Sequence, residues 1–232
     1  MADSKSYIIS TLPNHTTGQT DFEALVTRAR NFRLQSLQLA PESFGATYET
    51  EVQRTPEYWT GRIANPKATT FVACRCDQYK IQDTSIDSSK TFLDTEWLGW
   101  IVLLGPNHGP AEFSLHTSPW SVIHQDSEHH RDKGQEPKEL PRWLINGMFV
   151  MPKARGLGLG RALMNAALGR AAEKSREGGA DTLKCTIIVD KENDPARTFY
   201  LHSGFEIVKE DMFRPEIGKE RPALTMELTR SV

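Results

Sequence analysis

The feature that most constrains this chain is the junction Met148-Phe-Val-Met-Pro-Lys-Ala-Arg-Gly-Leu-Gly-Leu-Gly-Arg-Ala-Leu163, where an apolar run passes through Pro152 into alternating glycines and then an Ala/Leu-rich helical pattern. Gly156, Gly158 and Gly160 would leave backbone N–H groups bare at the positive end of a helix dipole, with no side chain to keep an anion away. The turn is therefore expected to seat a phosphate, with Arg155 and Arg161 adding charge-assisted hydrogen bonds from either side. A strand that feeds a helix in this way also commits this half of the chain to a sheet covered by helices.

Spacing narrows the phosphate ligand. A Walker loop needs Lys-Ser/Thr after its last glycine, and Gly160 is followed by Arg161-Ala162. The dinucleotide pattern Gly-x-Gly-x-x-Gly puts its third glycine at Leu163 counted from Gly158, and at Arg161 counted from Gly156. Both nucleotide patterns fail.

The second half is regular, with strands expected over 143–151, 182–190, 205–209 and 223–229 and helices over 158–177 and 194–203. In the first half a strand at Tyr7-Ile8-Ile9 precedes a helix capped by Thr20 or Asp21, with Phe22, Leu25, Val26, Ala29, Phe32 and Leu37 on its apolar face and Pro41 ending it. A second, broken helix is expected within 43–64, followed by strands over 69–76 and 96–104. The pattern is that of an α/β or α+β fold in one domain of 232 residues, with polar insertions near 77–94 and 106–141 and a short helix near 120–123.

Composition removes several function classes. Lys plus Arg number 28 against 30 for Asp plus Glu, so no global positive field attracts nucleic acid or an anionic membrane, and neither is expected as a partner. Cys74, Cys76 and Cys185 all fall in strand-like runs and read as free buried thiols of a reducing compartment; Cys74-Arg75-Cys76 lacks the Cys-x-x-Cys spacing. His124, His129 and His130 sit in the polar second insertion and read as solvated surface, so no metal is expected. The start, Met1 to Lys5, is polar, and no apolar run approaches the ~20 residues of a bilayer span, so the protein is expected to be soluble and cytoplasmic.

Arg155-Gly156-Leu157-Gly158-Leu159-Gly160 resembles the Gln/Arg-x-x-Gly-x-Gly/Ala signature of the GNAT superfamily of N-acetyltransferases. Asn193-Asp-Pro-Ala196-Arg-Thr-Phe-Tyr200-Leu-His-Ser-Gly204-Phe205 resembles that family's second motif, in the right order downstream. The resemblance is strong over about 143–209. It implies a mixed central sheet of about seven strands flanked by helices, with a splayed pair of parallel strands holding acetyl-CoA as acetyl donor.

By the same resemblance Phe149 and Val150 lie beside the pantetheine arm, and the backbone from Arg155 through Gly156, Leu157, Gly158, Leu159 and Gly160 to Arg161 holds the pyrophosphate. Asn193 binds the pantetheine or its bridging groups; as a residue before Asp194-Pro195 it equally suits a helix cap. Tyr200 matches the position that protonates the departing thiolate, and a phenol of ordinary pKa ~10 carries its proton at neutral pH. Tyr200 also suits a packing role beside Phe199.

No general base stands out, because the strand over 143–150 carries no carboxylate, although some relatives place one on it, and Asn146 is the only polar side chain in its middle; Glu49, Glu96, Glu112 and the insertion's histidines are the candidates. Phe44, Tyr48, Tyr58 and Trp59 suit either an acceptor pocket or helix core. The function implied is direct acetyl transfer from acetyl-CoA to a primary amine of a small or amino-acid-like acceptor, by a monomer or homodimer. A protein lysine or N-terminal acetyltransferase and a non-catalytic acyl-CoA-binding module are the alternatives.

Overall fold

In the computed structural model, which describes residues 6–15, 18–76, 88–107, 140–213 and 220–232, the β-branched and apolar runs become seven strands. They are β1 (Ser6–Thr11), β2 (Ala68–Cys76), β3 (Trp97–Asn107), β4 (Arg142–Val150), β5 (Thr182–Asp190), β6 (Glu206–Phe213) and β7 (Arg221–Ser231). They form one mixed sheet in the order β1-β2-β3-β4-β5-β7-β6. β4 and β5 are its parallel pair, and the other neighbours run antiparallel. Central β3 is buried along almost all of its length, as its unbroken apolar run requires of a strand covered on both faces.

Each face is covered by a helix whose apolar positions recur every three or four residues. On one face lies α1 (Gln19–Leu39), burying Leu25, Ala29, Phe32 and Leu37 against Val72, Trp97, Trp100 and Phe149. Burying a side chain the size of Phe32 contributes about 1.5–3 kcal/mol. Four further helices are α2 (Tyr48–Glu51), α3 (Pro56–Ala64), α4 (Ser88–Asp94) and, on the other face, α5 (Leu159–Glu177); α6 (Asp194–His202) follows. The small and apolar side of α5, Leu159, Leu163, Met164, Ala167, Leu168 and Ala171, packs on Ala73, Ile101, Leu103 and Ile145.

The segment expected as one broken helix is a 3-10 turn, Pro41–Ser43, followed by α2 and α3, because Pro41 and Pro56 each take a first helical position where a missing N–H costs nothing. Thr47 and Thr55 cap α2 and α3. The N-cap of α1 is Gly18, not Thr20 or Asp21, and it offers no side-chain cap. The end of the 77–94 segment is helical rather than loop, since Phe92, 1% exposed, packs edge-on to Trp97 and accepts its indole N–H at 3.0 Å. Residues 77–87 and 108–139, with the short helix expected near 120–123, lie outside the described residues. β6 runs to Phe213, four residues beyond Lys209, because β7 continues to pair with it as far as Arg221. Cys74, Cys76 and Cys185 are free thiols.

Candidate active site

The parallel pair opens partway along its length. β4 and β5 are in register from Arg142↔Lys184 to Ile145↔Ile187 and then part. β4 is drawn on by β3, pairing Asn146 with Val102 and Val150 with Gly99, while β5 follows β7 as far as Asp190↔Ala223. Between Trp100↔Phe149 and Val102↔Asn146, β4 carries one residue more than β3, a bulge at which Gly147 adopts φ 61°. The extra residue bends β4 away from β5, so the backbone beyond Ile145 has lost its parallel partner and borders a V-shaped opening.

The glycine turn closes one end of this opening. After the 3-10 turn Pro152–Ala154, Gly156 (φ 79°) and Gly158 (φ 77°) bring the chain into α5 in a left-handed conformation that side-chain-bearing residues rarely adopt. Gly158 is the N-cap and supplies no capping side chain, and the first turn contains no acidic residue. A Cβ added at Gly156 would meet nothing within 4 Å, and at Gly158 the nearest atom would be Tyr7 Oη at 3.9 Å. Arg161, in the first turn, and Arg155, just before it, are both exposed; cations there oppose the helix dipole, which an anion at this end would offset. Arg155 Nε also donates to Val150 O at 3.3 Å, linking turn and strand.

One cleft of about 990 Å³ runs from this turn through the V to the helices on the opposite face. Of the residues singled out by the sequence, Phe149, Val150, Arg155, Gly156, Gly158, Leu159, Gly160, Arg161, Asn193 and Tyr200 line it. Leu157 does not: its side chain is 47% exposed and turned outside. Leu159 is buried in the α5 core and Phe149 packs against Phe32 and Phe44, so these two have little beyond backbone to offer a ligand. Gly160 is a close approach, where a Cβ would come within 3.3 Å of Met148 and 3.5 Å of Phe199.

Asn193 does cap α6, its Oδ1 accepting from the Ala196 N–H at 3.1 Å, while its Nδ2 donates to Ser43 Oγ at 3.2 Å. It thereby ties the two halves of the chain across the cleft. Tyr200 is half-buried, its ring edge-on to Phe199 and Phe205 and its hydroxyl 4.0 Å from Met148 Sδ. Burial in these apolar surroundings pushes the phenol up to about 12.

The opposite wall is only partly legible in the sequence. Phe44 and Tyr58 line the cleft, whereas Trp59 is 2% exposed in the core. Beside them stand Arg33, Glu51, Arg54 and Arg62. Glu51 takes Arg62 Nη1 at 3.0 Å and lies 3.9 Å from Arg33 Nη2. The signal for Arg33 was its position, four residues from both Ala29 and Leu37 on the apolar face of α1. Arg221 holds the 41–46 segment over the cleft by donating to the carbonyls of Glu42 and Phe44 while paired with Asp190 at 3.2 Å.

Of the candidate bases, Glu49 is exposed on α2 outside the cleft, and Glu96 is paired with Lys153 and with Arg75 on another surface. Glu112 and the insertion's histidines lie outside the described residues. Among the described residues there is no group of His, Cys, Asp and Glu able to hold a metal ion, and no helix long and apolar enough to cross a membrane.

Residues 122–207 match the family model described as acetyltransferase (GNAT) domain. A tRNA-acetylating toxin of Mycobacterium tuberculosis is 35% identical over 92 residues, 39% of this chain and 52% of the relative, so the match spans about half of that protein. The fold is similar to Arabidopsis thaliana NAA60 in complex with acetyl-CoA (TM-score 0.56, 15% identity, 97% of this chain and 98% of that one). It is also similar to spermidine N-acetyltransferase from Vibrio cholerae in complex with CoA and spermine (TM-score 0.54, 14% identity, 96% and 95% covered). At such identities the two structures speak to the fold, including the mixed sheet and its parallel pair.

Proposed function

We propose, from the match of residues 122–207 to the acetyltransferase (GNAT) domain, that the chain is an acetyl-CoA-dependent N-acetyltransferase, passing the acetyl group by direct transfer to a primary amine of a small or amino-acid-like acceptor. The observation that carries the proposal is the uncapped, glycine-lined N-terminus of α5 opening into the same cleft as the parted strands β4 and β5. When bound, acetyl-CoA supplies the acetyl group as a thioester reactive towards an amine.

The protein's own part is binding, orientation and charge. Backbone N–H groups from Arg155 to Arg161 hold the pyrophosphate at the positive end of α5, with both arginines adding charge. The fit is open on the ligand side, since neither Gly156 nor Gly158 has a side chain or a close neighbour in the way. Phe149 and Val150 present the edge of β4 to the pantetheine arm, and Asn193 keeps one amide hydrogen for the same arm beyond the one given to Ser43. Holding thioester and amine in one cleft is worth up to ~7–11 kcal/mol in model systems.

Tyr200 then serves as a hydrogen-bond donor to the sulfur as negative charge develops there. With its phenol pushed up to about 12 it keeps its proton at every working pH. Full transfer to a thiolate of ordinary pKa ~8.5 is uphill, so stabilisation of developing charge outweighs complete protonation. The acceptor loses its proton to solvent in the cleft, because no carboxylate projects from β4.

The near balance of charge and the lack of a basic or acidic tract favour a compact acceptor over a protein tail or RNA. The test is calorimetric titration with acetyl-CoA, followed by a free-thiol assay across amino acids, polyamines, peptides and aminoacyl-tRNA. Tight binding with thiol release from a small amine is the expected result. Binding without release from any acceptor turns the conclusion to a silent acyl-CoA-binding module, and absence of binding overturns the proposal.

A further inference from the structure

The acceptor wall is cationic, and its charge is assembled from separate elements. Arg33 from α1, Arg54 from the link between α2 and α3, and Arg62 from α3 line it together with Glu51, the buried carboxylate of this wall. Glu51 is committed: both of its oxygens accept from Arg62 Nη1, at 3.0 and 3.4 Å, and the nearest approach of Arg33 to it is 3.9 Å. Arg33 is 6% exposed, and its Nε and Nη1 have no hydrogen-bond partner among the described residues.

Its guanidinium stacks on Phe44 with Cζ 4.4 Å from the ring centroid, and Phe44 in turn packs 6.2 Å from Phe149 of the splayed strand. The cluster is therefore one aromatic ring beyond β4, on the α1 face, whereas Arg155 and Arg161 belong to the turn that leads into α5 on the other face. Stacking orients Arg33 but leaves its in-plane donors unsatisfied. A planar fork of donors in a cleft wall matches the two oxygens of a carboxylate, or those of a phosphate.

We propose that the acceptor is an acidic amine, its anionic group seated on Arg33 with Arg54 and Arg62 completing the positive field, and its amine directed towards the splayed strands. An unsubstituted polyamine fits poorly at this cluster, because its carboxylate, Glu51, is already held by Arg62 and lies beside Arg33, while the cleft's other described carboxylate, Glu42, is exposed on the Pro41–Ser43 turn. The choice of acceptor rests on the transferase proposed above; the anion seat itself does not, and it is testable without acetyl-CoA.

The first measurement compares kcat/KM for acceptor pairs differing only in the anion: glutamate against its dicarboxamide, and an aminoalkyl phosphate against the corresponding amino alcohol. The anionic member of at least one pair is expected to be preferred by about 10- to 100-fold, the pair that shows it telling carboxylate from phosphate. In Arg33→Gln that ratio falls towards one. Arg54→Gln, at a half-exposed site, lowers it as well and serves should Arg33→Gln fail to fold. The second measurement is calorimetric titration of the same acids into the protein without coenzyme, with and without each substitution.

Binding of the acids without any binding of acetyl-CoA would remove the transferase and leave the anion seat standing. Equal rates within both pairs, a polyamine as the best acceptor, or a preference that survives both substitutions would overturn the inference. So would a loss of acetyl-CoA affinity in Arg33→Gln, which would assign the cluster to the coenzyme's phosphates.

Discussion

The two walls of the cleft both present arginine, yet they are built in opposite ways. The α5 wall is a single contiguous turn, with exposed Arg155 and Arg161 flanking bare backbone N–H groups. The α1–α3 wall is a buried cluster whose members are up to 29 positions apart, Arg33 to Arg62, held by aromatic stacking and one shared carboxylate. Exposed cations on a turn can adapt to a long, phosphate-rich ligand. A buried guanidinium held in one place selects by geometry.

The comparison is broken most severely at Glu51. Glu51→Gln leaves Arg33 and Arg62 buried without their counter-charge and is expected to lower unfolding free energy by about 3–5 kcal/mol, read from the denaturant midpoint. A loss below about 1 kcal/mol would mean that solvent reaches the cluster and that it behaves like the exposed wall. Next in size, Gly158→Asp places a carboxylate where the pyrophosphate is proposed and forces a φ of 77° on a residue with a side chain. Acetyl-CoA affinity is expected to fall by about 100-fold or more, measured by calorimetry. Unchanged affinity would take the coenzyme away from this wall.

Tyr200→Phe acts between the walls. It is expected to lower kcat by about 10- to 100-fold, with acetyl-CoA affinity unchanged in titration, because the phenol contributes only as charge develops on sulfur. Equal turnover of the two forms would leave the ring a packing role alone.

The smallest effect tests the stem beneath both walls, where β4 and β5 remain paired. Cys185, opposite Trp143 there, is pushed by burial from 9.0 up to about 12. A thiol whose folded pKa is raised contributes stability that is complete below pH 9 and is lost as pH rises from 9 to about 12, because the unfolded chain ionises first. Unfolding free energy is expected to be about 1.4 kcal/mol lower at pH 10 than at pH 8 from this group. Cys185→Ala should remove that portion of the slope in alkaline melts; an unchanged slope would place the stem in contact with solvent.

Much of this architecture was legible in the residues. The strands and helices from Trp143 onward follow from periodicity, and the glycine turn from spacing. The bulge in β4 had a visible trace, Gly147 inside an apolar strand, but its consequence depends on β3 and β7 pulling the parallel pair apart. The helix at Ser88–Asp94 was hidden in a polar run because Phe92 is held in place by Trp97, not by neighbours along the chain. Arg33 was visible as a charge on the apolar face of α1, yet nothing local shows that it opens onto a cleft.

The sequence by itself determined the α/β class, the order of the elements and the phosphate-seeking turn, since each is written in contacts within about one helical turn or one strand of chain. Only the tertiary structure decided where β4 leaves β5, that Asn193 reaches Ser43 across the opening, and that three arginines and Glu51 meet beside Phe44. Those features come from packing between distant segments. Periodicity cannot encode them, because a side chain's partner across a cleft is set by how the elements dock and not by its own neighbours.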